Sequence, residues 1–289
     1  MLLPSSNTFE ALRQLFREHL KSVYEISEID FLFRIVVEDK LGVKWKQLTL
    51  SERFSESDIN LVSPILEALI DGKPLQYALG NTEFLECKLN VDARVLIPRP
   101  ETEELCDLIL GENSKLSALN LLDIGTGSGC IPIALKHHAP KWELYAIDID
   151  TNALQLAKEN AELNNTIVHF SRMDILQAAT LKGKFDIIIS NPPYIAESEK
   201  TTIHENVLEY EPHLALFVSD LDALLFYRKI TKLAVQSLKK GGKLYFEINE
   251  RFGNETMALL VDSGFQNCRI IEDLSGKERF VAGQLMVAL

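Results

Sequence analysis

Leu121-Leu122-Asp123-Ile124-Gly125-Thr126-Gly127-Ser128-Gly129 runs from an apolar stretch straight into a glycine-rich turn. The apolar residues read as a buried strand, and the glycines let the chain turn tightly and let a ligand approach its backbone. The spacing is GxGxG. The dinucleotide fingerprint requires GxGxxG, and Cys130 stands where its third glycine belongs, so the turn alone does not name a ligand.

Working outward, the chain from about residue 118 alternates apolar strands with amphipathic helices. Strands are expected at 119–124, 143–148, 166–170, 185–190, 243–249, 267–272 and 279–286, with helices at Asn152 to Leu163 and Leu221 to Leu238. Such alternation implies a mostly parallel, doubly wound, seven-stranded α/β sheet covered on both faces. Lys239-Lys240-Gly241-Gly242 reads as the stop of the long helix. The connection Asp273 to Lys277 is too short for a crossover, so the last two strands must be antiparallel.

Upstream the pattern changes. Phe9, Leu12, Leu15, Phe16 and Leu20 recur at helical spacing, as do Ile29, Leu32, Phe33, Val36 and Val37, then Ile59, Val62, Leu66, Leu69 and Ile70. Ser27 and Ser55 each precede an Asp by three residues, which predicts two capping-box starts. Residues 1–75 are therefore expected to form a small helical bundle. Tyr77 to Gly80, Glu83 to Leu85 and Leu89 to Asp92 read as short strands of a β-hairpin linker over 76–98. The third region, 99–289, holds the sheet and opens on Arg99-Pro100-Glu101-Thr102. Arg99 and Glu101 are polar groups in an apolar neighbourhood, which places them at the edge of a site.

Ligands of doubly wound sheets bind outside the carboxyl ends of the strands. Asp148 ends the strand after the glycine turn, where its carboxylate can accept from two ribose hydroxyls. Met173 and Asp174 follow the third strand, where they can meet an adenine ring and its amine. The alternative reading of Asp148, Asp150 and Asp174 is as capping groups. Asn191-Pro192-Pro193-Tyr194 follows the fourth strand. It reads either as a plain turn or as a grip on a planar NH2 group. In the second reading the Asn191 oxygen and the Pro192 carbonyl each accept one hydrogen, and Tyr194 offers a flat face. The nitrogen lone pair is then free to attack a methyl donor, and no metal is needed. The glycine turn and this motif together point to transfer from S-adenosylmethionine to an amide or exocyclic amine.

The composition limits the substrate. The chain has 289 residues, is 46% hydrophobic and carries a formal net charge of −12, with a pI near 5.1. That balance disfavours a polyanionic substrate and suits a basic protein partner. Cys87, Cys106, Cys130 and Cys268 show no CxxC spacing, and the His204-Glu205 string lacks its second histidine because residue 208 is Leu. No zinc site and no disulfide framework are expected. With no apolar signal region and no run of about 20 apolar residues, a cytoplasmic, membrane-free protein is expected.

The residues Gly72 to Tyr77 with Gly80 and Phe84, Leu96-Ile97-Pro98-Arg99-Pro100-Glu101-Thr102-Glu103, Asp123 to Gly129, Ser190 to Ile195 and Tyr210-Glu211-Pro212 resemble the release-factor glutamine N5-methyltransferases, the PrmC/HemK family. The resemblance implies a class I, Rossmann-like, S-adenosylmethionine-dependent methyltransferase fold. It implies methylation of the glutamine side chain in the Gly-Gly-Gln loop of class I peptide chain release factors, which serves translation termination and leaves S-adenosylhomocysteine. It also implies that residues 1–75 dock the partner. Carried over by position, the cofactor residues are Gly125, Thr126, Gly127, Ser128, Gly129, Asp148, Met173, Asp174 and Asn191. The glutamine pocket and catalytic group fall on Asn191, Pro192, Pro193 and Tyr194, with Phe84, Arg99, Pro100, Glu101 and Thr102 at the edge. Family members often have Glu-Ile-Gly and then Gln after the fifth strand, whereas this chain has Glu247-Ile248-Asn249-Glu250-Arg251. A nucleic-acid amino-methyltransferase and a silent binding module with the same fold are the competing readings.

Overall fold

The computed structural model describes residues 2–49 and 52–286. Two compact units emerge, one of residues 1–81 with 205–210, the other of 82–204 with 211–289.

The first unit is helical. Helix α1 spans Phe9–Leu20, α2 Ile26–Leu41, α3 Glu56–Ile70 and α4 Leu75–Leu79. The apolar positions predicted from periodicity supply its core, with Phe16, Phe33, Val36 and Leu66 fully buried. Ser55 forms the expected capping box with Asp58. Ser27 does not: α2 starts two residues earlier, with Glu25 as its N-cap, and Asp30 instead binds Arg13 and Arg17. Tyr77 to Gly80 is not a strand. It is one helical turn between Pro74 and Gly80, whose φ of 79° and N–H bond to Gln76 close it. Tyr77 and Leu79 are both buried, and this i, i+2 pair imitates strand alternation. The flanking Pro and Gly were the better signal.

The second unit opens with β1 (Asn81–Phe84) and β2 (Cys87–Asn90). The hairpin is not a free linker beyond Asn81, since Phe84, Cys87 and Leu89 join the core beneath the sheet. Helix α5 covers Pro100–Asn113, β3 Asn120–Ile124, α6 Cys130–His138, β4 Glu143–Asp148, α7 Thr151–Leu163, β5 Val168–Arg172 and β6 Phe185–Ser190. Short elements follow: β7 (Ile195–Ala196), α8 (Glu205–Tyr210, part of the first unit), α9 (His213–Leu216) and β8 (Phe217–Val218). Then come α10 (Leu225–Ser237), β9 (Leu238–Glu247), α11 (Gly253–Asp262), β10 (Phe265–Glu272) and β11 (Glu278–Leu285). Lys239 to Gly242 lies in β9 and does not end the helix; Lys239 pairs with Asp186 at 2.7 Å.

The seven-stranded sheet has the order β10-β11-β9-β6-β3-β4-β5. The five strands from β9 to β5 are parallel, and β11 is antiparallel to both its neighbours. Alternate residues feed two cores. Leu121, Ile187 and Ile189 pack on one face, while Leu122, Ile124 and Ile188 pack on the other, as a sheet covered on both sides requires.

Candidate active site

Strand register brings the predicted residues together. In β3, Ile124 lies beside Ile147 of β4 and Ser190 of β6. Ser190 lies in turn beside Phe246 of β9. The next residue on each strand is Gly125, Asp148, Asn191 and Glu247. These four therefore share one row at the carboxyl edge, with neighbouring strands about 4.8 Å apart. Crossovers leave β3 toward β4 and leave β6 toward β9, in opposite directions, so the loops part and open a crevice at the switch point. The Ser190 hydroxyl fixes the two strand ends by donating to the Ile124 carbonyl at 2.7 Å.

The crevice is a cavity of about 230 Å³. Gly125, Thr126, Gly127, Ser128, Asp148, Met173, Asp174, Asn191, Pro192, Pro193, Arg99 and Thr102 line it. Apolar walls come from residues the sequence reading missed, among them Ile149, Ile175, Leu214 and Phe226. Ile149 was legible as an apolar residue directly after the acidic strand end. Leu214 and Phe226 carried no local signal.

Gly125 and Gly127 have φ of 78° and 53°, the region favouring glycine. A Cβ on either would meet no heavy atom within 4 Å, so the turn presents open backbone. Gly129 differs. It does not line the cavity, and a Cβ there would stand 3.1 Å from Ala157 and Ile133. It permits close helix packing.

Asp148 accepts from the Gly127 N–H at 2.8 Å and from the Asp150 N–H at 3.0 Å. Asp150, not Asp148, caps α7. A carboxylate has about four acceptor directions, so Asp148 retains capacity for a ligand. Burial raises its carboxyl above the usual range, opposed by those backbone bonds. Asp174 accepts from the Leu176 N–H at 2.9 Å and so also braces its own turn. The open glycine turn, the adjacent carboxylate and the apolar walls suit a ligand with ribose hydroxyls and an aromatic base.

The Asn-Pro-Pro-Tyr turn is held from behind. Asn191 Nδ2 donates to the Thr102 hydroxyl at 3.2 Å, and that hydroxyl donates to Glu247 Oε2 at 2.7 Å. The Tyr194 hydroxyl reaches Glu247 Oε1 at 3.2 Å. Glu247 is 1% exposed. Burial pushes its carboxyl up to about 7, against the pull of the Thr102 and Tyr194 bonds and of Arg279. Asn249, in the departing segment after β9, donates to the Tyr194 carbonyl at 3.3 Å.

Several expected positions lie elsewhere. Tyr194 is not among the residues lining the cavity, and it packs against the core. Phe84 is 1% exposed within the core. Pro100 and Glu101 also lie off the cavity, as the first helical residues of α5, where Pro and negative charge suit a helix start. Arg99 borders the cavity while bonding the buried Glu211, which also accepts from the Ile97 N–H at 3.1 Å. Asp123, beneath the glycine turn, is buried with neither oxygen hydrogen-bonded among the described residues. Burial pushes its carboxyl up to about 7, opposed by the nearby Thr126 hydroxyl, which falls outside hydrogen-bonding geometry. The signal for Glu247 was an acidic residue closing an apolar strand, the same signal that marks Asp148.

Residues 106–214 match the methyltransferase small domain family. A methyltransferase from Pyrococcus furiosus shares the fold, with TM-score 0.51 and 18% identity over 69% of this chain and 89% of that one. The release factor glutamine methyltransferase of Flavobacterium psychrophilum is 46% identical over 274 residues, 93% of this chain and 96% of the relative. That of Bacteroides thetaiotaomicron is 41% identical over 268 residues, 92% of this chain and 96% of the relative. With identity above 40% over more than nine-tenths of its length, this chain belongs to the release factor glutamine methyltransferase family.

Proposed function

We propose that the protein transfers a methyl group from S-adenosylmethionine to the side-chain amide nitrogen, N5, of the glutamine in the Gly-Gly-Gln loop of class I peptide chain release factors. The observation that carries this reading is the placement of Asn191 beside the glycine turn on one cavity wall. When bound, S-adenosylmethionine supplies an electrophilic methyl group and leaves as S-adenosylhomocysteine. Gly125 to Ser128 offer backbone to it, Asp148 accepts from its ribose, and Met173, Asp174 and Ile149 surround its base.

A carboxamide nitrogen is a poor nucleophile because its lone pair is delocalised. Asn191 Oδ1 and the Pro192 carbonyl accept its two hydrogens, which fixes the nitrogen and raises its electron density. Catalysis is then positioning and electrostatics. The amide proton leaves after the N–C bond forms, so no strong base is required. Asn191→Ala should lower the single-turnover rate about 100-fold, the scale of removing one preorganised polar partner.

Residues 1–75 serve to dock the folded factor, since a pocket for one side chain cannot select a whole protein. The acidic charge of the chain favours a protein substrate over nucleic acid. Among the described residues no helix is long and apolar enough to cross a membrane, consistent with action on a soluble cytoplasmic partner. Radiolabelled transfer onto a release factor, onto its loop Gln→Ala variant and onto DNA tests the reading. Label on DNA, or equal label on the loop variant, would overturn it.

A further inference from the structure

The Asn191 amide can serve an amide substrate in only one orientation. Its oxygen must face the substrate nitrogen; rotated by half a turn, its NH2 would meet the substrate's own NH2. Two amide orientations have nearly the same shape, so packing alone does not choose between them. The choice is made by what the other end of the amide meets.

That partner is the Thr102 hydroxyl, which can donate or accept. Its direction is fixed one step further back. Glu247 Oε2 lies 2.7 Å from Thr102 Oγ1, and above about pH 7, where its carboxyl is ionised, it only accepts. The Thr102 proton therefore points to Glu247, and its lone pairs point to Asn191. Asn191, 3.2 Å away, must then offer its NH2 to Thr102. Its oxygen takes no hydrogen bond from the described residues and is left for a ligand. The second Glu247 oxygen takes the Tyr194 hydroxyl, so one buried side chain holds both ends of the Asn-Pro-Pro-Tyr turn. Arg279 of β11, Glu101 of α5 and Tyr227 of α10 are the other charged or titratable side chains near Glu247, with the buried thiols of Cys106 and Cys130.

We infer that Thr102 and Glu247 are positioning residues for methyl transfer, acting in series to hold the Asn191 oxygen toward the substrate amide. This rests on the proposed function for its substrate, but the orientation of Asn191 is a property of the protein alone.

The test uses the full chain at about pH 8.5, where a carboxyl titrating near 7 is ionised. Thr102→Val keeps the shape and removes the acceptor for Asn191; Thr102→Ser keeps the hydroxyl. Glu247→Met removes the acceptor for Thr102. Thr102→Val and Glu247→Met should each lower kcat on the release factor by about 10- to 100-fold, with S-adenosylhomocysteine affinity unchanged. Thr102→Ser should stay near wild type. Because the two act in series and Glu247 also holds Tyr194, the double variant should be no slower than Glu247→Met alone. A kcat near wild type in Thr102→Val, or additive losses in the double variant, would overturn the inference.

A second readout needs no activity. In 15N spectra the Asn191 side-chain NH2, identified by its loss in Asn191→Asp, should exchange slowly with water in wild type and Thr102→Ser and rapidly in Thr102→Val. Equal exchange in all three would overturn the orientation. Absence of transfer by the wild-type protein would overturn the substrate assignment instead, leaving the exchange result to decide the orientation.

Discussion

Replacing Asp148 with alanine should weaken binding of S-adenosylhomocysteine by about 10- to 150-fold. The figure follows from the environment of the carboxylate. Two of its acceptor directions already hold Gly127 and Asp150, at 2.8 and 3.0 Å, and the residue lines the cavity. A hydrogen bond to a charged group contributes about 1.5–3 kcal/mol, and 1.4 kcal/mol is tenfold in affinity. A single lost ribose bond gives the range stated. The substitution also frees the Gly127 N–H, so the glycine turn loses its tether and must be ordered on binding. Calorimetric titration with the product avoids turnover, and circular dichroism establishes that the fold is kept. Because burial raises the Asp148 carboxyl, wild-type affinity should decline as pH falls through that raised value, and the variant should lack this decline. Affinity within threefold of wild type, with the same pH dependence, would falsify the assignment of Asp148 to the ribose.

Asp123 has its carboxyl raised from 3.8 to about 7 by burial, so the folded state binds the proton more tightly than the unfolded chain. Its stabilising contribution is present below about pH 4 and is lost as pH rises toward 7, at most roughly 4 kcal/mol across that window. Asp123→Asn should therefore gain stability relative to wild type between pH 5 and pH 8 in urea unfolding, and parallel profiles would contradict this. Arg99→Ala leaves Glu211 buried without its cation and should cost about 3 kcal/mol; an unchanged denaturation midpoint would show that Glu211 finds another partner. Deleting residues 1–75 should raise KM for an intact release factor with less effect on kcat, and should hardly change methylation of a short Gly-Gly-Gln peptide. Unchanged kcat/KM for the intact factor, in a truncation shown by melting to be folded, would reduce those helices to a structural cap.

Much of this protein was legible in sequence because its signals are local. Buried strands read as apolar runs, helices as a 3.6-residue repeat, and the turns after β3 and β6 as glycine and proline strings. The short loop from Asp273 to Lys277 was enough to require an antiparallel final pair. Local signals also misled where two structures share a pattern, as at Tyr77 to Gly80, where a single helical turn buries residues two apart. Tertiary structure alone decided the strand order, the insertion of β11 between β9 and β10, and the common row of Gly125, Asp148, Asn191 and Glu247. It also set Thr102 between Asn191 and Glu247. Thr102 and Glu247 stand 145 residues apart, and nothing near either residue specifies the other. Strand pairing is chosen by the burial of whole faces and by crossover handedness. The polarity of the site follows from that choice, because only a folded sheet can bring an acceptor-only carboxylate behind the threonine that orients the asparagine.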